Sequence, residues 1–233
     1  MKINRSQWLS LALVFAAFAL TAILYPRLPE RVPVHWDLSG QANRYAAKPW
    51  GPFEIPLAMA AIYVLLLLVP AISPRGYRID QFRRTFDVIR TAMMIFLFVV
   101  VAVADLAAIG TPLQTGRIIF AALGAFLAVL GNYMGKITKN FFVGIRTPWT
   151  LASDEVWMRT HRLGGKLFMI AGLALVVCAL AGFGGPALVG LVIFASAIPV
   201  IYSYLLYRRI EGFKNGGGEG DGGASPSPDQ SRG

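Results

Sequence analysis

The sequence predicts an all-α polytopic membrane protein with about six transmembrane helices and both termini on the cytoplasmic side. Three observations lead there. The 233 residues are 56% hydrophobic and 15% charged, with a mean hydropathy of +0.58, a balance soluble domains rarely show. Six apolar runs, roughly residues 7–25, 52–73, 88–110, 117–134, 165–183 and 186–207, reach or approach the ~20 helical residues needed to cross a ~30 Å hydrocarbon core. Finally, the basic residues fall unevenly about those runs. If the six runs alternate in direction, 17 of the 22 Lys and Arg lie with the termini and the second and fourth connections, against 5 on the other side. Such an excess marks the cytoplasmic face. Topology therefore accounts for the net charge of +10, and no direct nucleic-acid binding is expected.

The first run follows Lys2 and Arg5 but is long for a secretory signal. Its exit, YPRLPERVP, carries no convincing small-x-small cleavage site, so it reads as an uncleaved helix. The first connection, residues 25–51, faces outward. Pro26, Pro29 and Pro33 exclude a helix there and favour extended chain. Val32, Val34 and Trp36 then share one face of a short strand-like piece, with His35 and Asp37 opposite. Trp36, Tyr45 and Trp50 are the aromatics expected to hold this segment at the interface as an ordered cap. The second connection, SPRGYRIDQFRRTFD, spaces Phe82 and Phe86 four apart and reads as a basic amphipathic segment lying on anionic headgroups. A docking surface for an acidic partner is the weaker alternative.

Asp105 is the one carboxylate well inside a predicted span, where ionisable groups seek a partner or water. It lies close to the outer edge, so pairing with Arg117 or Arg44 is expected ahead of a proton-coupling role. In the fourth span Gly131-x-x-x-Gly135 predicts close helix approach, and Asn132 a hydrogen bond across helices. The fourth connection is GIRTPWTLASDEVWMRTHRLGG, residues 144–165. Asn140-Phe141-Phe142-Val143 before it is expected to dip into the interface. Ser153 is placed to cap a short helix, with Asp154 and Glu155 at its positive end. Along that helix Asp154, Trp157 and His161 share a side, and Glu155 pairs with Arg159 at i,i+4. The expectation is an interfacial helix anchored by Trp157 and broken at Gly164-Gly165. Arg146 is expected to tie this loop to helix-end carbonyls through its planar fork. The single cysteine, Cys178, reads as a packed apolar residue. Residues 215–233 are Gly, Ser, Pro and acid and are expected to be disordered. The organisation that follows is residues 1–75 with two spans and the outward loop, residues 76–214 with four spans and the GIRTPWT loop, and a tail at 215–233.

Enzyme chemistry finds little support. His35 and His161 fall on opposite sides of the membrane, so they cannot share a metal, and neither has the neighbours a zinc site usually recruits. No phosphate loop or dinucleotide fingerprint is present, and Ser153 near His161 has nothing to orient a triad. No cofactor and no metal are expected.

Two stretches carry a family resemblance. LPERVPVHWDLSGQANRYAAKPWG resembles the N-terminal domain of unknown function of SdpI-type membrane proteins, with its Leu-Pro, V/I-P-x-H-aromatic, Gly and Arg-aromatic elements; the residues concerned are His35, Trp36, Gly40 and Arg44. GNYMGKITKNFFVGIRTPWTLASDEVWMRTHRLGGKLF is similar to the C-terminal region of the SdpI family, through Asn140, Gly144, Arg146, Thr147, Pro148, Trp149, Trp157, His161 and Gly165. The resemblance implies a multi-pass protein of the bacterial inner membrane that gives immunity to a membrane-active toxin peptide. It also implies a second role, passing on the presence of toxin by holding a cytoplasmic repressor at the membrane. Membrane lipids, a toxin peptide and a repressor are the partners this brings. The alternative is a small-molecule or proton-coupled transporter with an inverted 3+3 repeat, suggested by one long loop in each half containing Pro-Trp, at Pro49-Trp50 and Pro148-Trp149.

Overall fold

The computed structural model describes residues 4–37, 41–74, 79–183 and 185–212. Six helices among them have the length and composition to cross a membrane. They are α1 (Arg5–Leu24), α2 (Glu54–Ile72), α3 (Arg83–Ala108), α4 (Thr115–Met134), α6 (Asp154–Ala181) and α7 (Gly185–Ile210), with a one-turn helix α5 (Pro148–Ala152) between α4 and α6. Each long helix is apolar nearly all round, the pattern of a span rather than of a soluble surface helix. Asn4 starts α1 with a capping box: its side chain accepts from Gln7 N at 2.8 Å while Gln7 Oε1 accepts from Asn4 N at 2.9 Å.

The helices alternate in direction. α1 and α3 run parallel, with Asn4 reaching Asp87 at one end and Thr21 reaching Asp105 towards the other. α2 runs against them, so Tyr63 donates to the carbonyl of Gln7. One end of the bundle therefore gathers the starts of α1, α3 and α6 with the ends of α2, α4 and α7; it is called here the basic end. The opposite end carries an antiparallel hairpin of β1 (Arg31–Trp36) and β2 (Ala42–Ala47), in which Val32 faces Ala46 and His35 faces Arg44. An all-α reading catches the bulk of the fold and the extended β1, but not the pairing of β2. The prolines that exclude helix leave backbone groups to be satisfied, and a second strand supplies them.

Large apolar side chains such as Phe15, Ile23, Val177 and Phe194 point outward, while Gln7, Ser10, Thr21, Asp105 and Arg90 are buried. That inversion suits a chain whose solvent is hydrocarbon, in which polar groups find partners only inside the protein.

Three expectations are corrected by the packing. Phe82 and Phe86 do not lie on headgroups: both are buried, clustered with Val69, Ile79, Met134, Ile137 and Trp157, because a 3-10 turn at Ile79–Phe82 leads straight into α3 and turns that face inward. Asp105 pairs with neither arginine. It accepts a hydrogen bond from Thr21 Oγ1 at 2.6 Å, while Arg44 meets Glu54 at 3.3 Å and the Arg117 guanidinium lies against Gly182. The parallel packing of α1 on α3 sets residues 21 and 105 at one height. Lastly, α6 is not broken at Gly164-Gly165 but runs through them from Asp154 to Ala181.

Those glycines serve contact rather than chain reversal. Gly124 and Gly131 of α4 face Gly172 and Gly165 of α6 so closely that backbones touch. A Cβ at Gly131 would stand 2.4 Å from Met169 N, and one at Gly172 2.5 Å from Ala128 N. Small residues at such a crossing replace the hydrophobic drive that lipid does not provide. The seam repeats every seven residues, and Gly135 lies outside it, with only Arg162 Cγ at 3.8 Å from its would-be Cβ. Asn132 is exposed on α4 rather than bonded across the seam.

Candidate functional site

The segment 140–161 folds into a small structure of its own at the basic end. Asn140 is fully buried and acts as its hub. Its Nδ2 donates to the carbonyls of Thr138 and Val143, and its Oδ1 accepts from the backbone N–H groups of Phe142 and Val143. All of the amide's bonding capacity goes into one turn. The run does not simply dip into the interface: Phe142 and Val143 pack onto the buried cluster around Trp157, and Phe141 stays exposed.

Gly144 follows with φ +115°, a conformation that side chains with a Cβ avoid, and a Cβ there would stand 2.3 Å from His161 Nε2. This close approach lets the N–H of Ile145 donate to His161 Nε2 at 3.0 Å. Since Nε2 accepts, the ring proton must sit on Nδ1, which donates to the carbonyl of Trp157 at 2.9 Å. The buried imidazole is thus held at both nitrogens in one tautomer. Trp157 stacks on it with centroids 4.0 Å apart and donates from Nε1 to the carbonyl of Ile137 at 2.8 Å. Trp157 is 3% exposed, so it is a buried strut between two loop segments and not an interfacial anchor.

The Thr-Pro-Trp-Thr sequence then writes its own helix start. Thr147 caps α5, Pro148 takes the first turn, where a missing N–H costs nothing, and Thr150 closes a capping box with Thr147. Thr150 Oγ1 also donates to the carbonyl of Ile145, and Thr147 Oγ1 lies 3.0 Å from Ser203 Oγ, fastening the loop to α7. Trp149 meets Tyr204 of α7 edge-on, with centroids 5.1 Å apart. Ser153 caps α6, and Glu155 pairs with Arg159 at 2.5 Å, both as expected from spacing. Arg146 is exposed and donates through one nitrogen, Nη1, to the carbonyl of Phe141. That is a single contact within the loop, not a fork onto helix ends.

His161 and Trp157 also form one wall of a cavity of about 640 Å³, bounded by Gln81 ahead of α3, the turn at residues 135–139 and the first turns of α6.

At the far end of the bundle, His35 Nδ1 lies 2.6 Å from Asn43 Oδ1, and both side chains are exposed. Trp36 is half-buried, Trp50 is 75% exposed, and Lys48 Nζ donates to the carbonyl of Leu28 at 2.6 Å. Gly40 falls outside the described residues, as does the tail at 215–233. The hairpin residues and the GIRTPWT residues thus lie at opposite ends and form two surfaces, not one site.

Sequence reasoning missed a third polar cluster, between α1 and α3. Arg90 is 1% exposed, with Nη2 2.9 Å from Asp87 Oδ1 and 3.3 Å from Ser6 Oγ. Arg90 is therefore not one of the solvated charges of the basic end. Its i,i+3 spacing from Asp87 ahead of an apolar run was the available signal. Thr21 and Thr150 gave none, because a hydroxyl beside apolar residues looks the same whether or not a partner waits across the fold.

Together the six spans, the strand hairpin and the histidine-locked loop define a polytopic helical membrane protein with a structured surface at each end. The comparisons narrow this further. Residues 136–203 match the model of the SdpI/YfhL protein family, and residues 12–60 match the Domain of unknown function (DUF1648). The chain is thus similar to the SdpI/YfhL protein family over residues 136–203. It is 28% identical over 208 residues to the Immunity protein SdpI of Bacillus subtilis (strain 168), covering 88% of this chain and 97% of the relative. No solved structure matches.

Proposed function

We propose that this chain is an integral membrane immunity protein that protects its cell from a membrane-active toxin peptide, with both termini in the cytoplasm. The observation that carries the reading is the reach of the similarity, which takes in 97% of a relative named for immunity rather than one loop of it. Both structured surfaces fall inside the matched length. In this reading the hairpin, with His35, Trp36, Arg44 and Trp50, meets the toxin from outside. The GIRTPWT loop holds α4, α6 and α7 in register on the cytoplasmic side, where a rigid, basic surface suits a repressor recruited when toxin is present. The bonds described above are structural in kind, which supports a binding protein rather than an enzyme.

The transporter alternative is less well supported. An inverted repeat would pack its halves alike, yet α1 packs chiefly on α3 in the first half while α4 packs chiefly on α6 in the second. Asp105, its acidic candidate, is closed off against Thr21.

The test is expression in a toxin-sensitive strain challenged with candidate toxin peptides. Protection is expected, to be lost in His35→Ala/Trp36→Ala at unchanged membrane level. Sensitivity equal to that of the empty strain, with the protein correctly inserted, would overturn the immunity reading for those peptides. A reporter fused after Arg209 should be active only in the cytoplasm, and one between Arg27 and Trp50 only outside; the reverse result would exchange the roles of the two surfaces. A fluorescent repressor that stays in the cytosol on toxin addition would remove the signalling role alone.

A further inference from the structure

The cavity beside His161 does not end at α6. A second, smaller cavity of about 270 Å³, lined by Asn132, Lys166 and Met169 among others, shares Gly135 and Arg162 with the first. The two form one groove along the mouth of the α4–α6 seam. Lys136, Lys139, Arg162 and Lys166 line it, and the one carboxylate among its lining residues, Asp154, is already bound to Lys139 at 2.5 Å. Lys136 lies over the Tyr133 ring, and no carboxylate among the described residues meets Lys136, Arg162 or Lys166. An excess of like charge gathered in a concave site marks a place for an anion.

Depth identifies the kind of anion. The 28 residues of α6 extend ~42 Å at ~1.5 Å each, about 12 Å more than the hydrocarbon core. The excess is about eight residues, or the stretch Asp154–His161, which belongs to the folded loop. Arg162 then sits at the hydrocarbon boundary, and Lys166, one turn further on the same face and ~6 Å inside it at ~1.5 Å per residue, reaches back to the headgroups along its flexible stem. Below them the groove floor is Gly131 and Gly165, and Met169 forms an apolar wall. A long cationic side chain at this level reaches a phosphate while an acyl chain follows the wall towards the membrane interior.

We propose that this groove binds the phosphate of an anionic phospholipid, with Arg162 and Lys166 as the principal contacts and Lys136 as a third. Basic pockets between spans are suited to such headgroups, and the guanidinium adds a fork that matches phosphate oxygens. Bound there, the lipid would bridge α4 and α6 just above the glycine seam.

The experiment uses the full chain, purified in detergent with mixed phosphatidylglycerol and phosphatidylcholine and examined by native mass spectrometry. Phosphatidylglycerol should be retained in preference to phosphatidylcholine. Arg162→Gln/Lys166→Gln should lower that retention by roughly tenfold or more, from the worth of two cations near a headgroup. Arg208→Gln/Arg209→Gln removes the same charge at the same end, outside the groove, and should leave retention unchanged. Gly135→Met keeps every charge and fills the groove, and because a Cβ there meets nothing closer than 3.8 Å the chain still folds; it should also lose the lipid. Equal retention of the two lipids, or equal loss in the Arg208/Arg209 control, would overturn the proposal. Displacement of the lipid by inorganic phosphate alone at matched concentration would also overturn it, by showing a site for a free anion.

Discussion

Gly144→Ala perturbs the one place where the GIRTPWT loop and α6 cannot both give way. At φ +115° an alanine is strained by ~1–2 kcal/mol. Its Cβ, 2.3 Å from His161 Nε2, must also drive the imidazole off its contact. The N–H of Ile145 then loses its acceptor, at ~1–3 kcal/mol for a donor left unsatisfied in a buried setting. Some of the Trp157–His161 stacking goes with it, worth ~0.5–1.5 kcal/mol. Together these come to about 2.5–6.5 kcal/mol, or on the order of 10 °C in melting temperature for a chain of this size. The assay is thermal unfolding in detergent, followed by far-ultraviolet circular dichroism and by tryptophan fluorescence. Gly135→Ala is the control, with no steep contact and an ordinary backbone conformation, and should change stability by less than ~0.5 kcal/mol. Adding His161→Ala to Gly144→Ala removes the clash, so the pair should cost less than the sum of the single changes by at least ~1 kcal/mol. If Gly144→Ala melts within about 2 °C of the parent on that same scale, or the two changes add, then His161 is not the keystone of the loop.

Other substitutions test the rest of the packing. Thr21→Val should destabilise by ~1–3 kcal/mol, because the buried Asp105 carboxylate loses its donor; Thr21→Val/Asp105→Leu, which removes both polar partners, should recover most of that in the same melt. Gly131→Ala should cost at least ~2 kcal/mol, since Met169 N is backbone and cannot move aside; Gly190→Ala, with open space around it, should be silent, and equal behaviour of the two would refute the seam. Arg146→Lys should stay within ~1 kcal/mol of the parent and keep normal abundance, because one exposed carbonyl is the contact to be replaced. A clear loss of toxin protection by this variant at normal abundance would point to a second acceptor on a partner.

How far the sequence reached depended on which interactions are local in the chain. Span number and the interior ends of the apolar runs were legible because burial in lipid needs only length and hydropathy, which are properties of a single segment. The capping by Ser153, the Glu155–Arg159 pair and the extended chain at Arg31–Trp36 were legible for the same reason, since each involves residues close in sequence, whereas register shifts between Pro33 and Trp36 interrupt the simple alternation expected there. Trp157 and His161 were recognised as important but given the wrong surroundings. An amphipathic helix between two spans looks interfacial until another segment covers it, and here the cluster from Phe82 to Ile137 covers it. Likewise Gly164-Gly165 reads as a helix break where no contact is known, but a glycine costs a helix only about 1 kcal/mol, and close packing against Gly131 offsets that. The partner of Asp105 was undecidable from sequence, because Thr21 is 84 positions away and several polar groups were available at similar depth. What the chain determined alone was which segments enter the membrane and how their ends are capped. Which buried polar group meets which, and which glycines bring backbones together, was decided only by tertiary structure, because helix directions and rotations are set by all the neighbours at once.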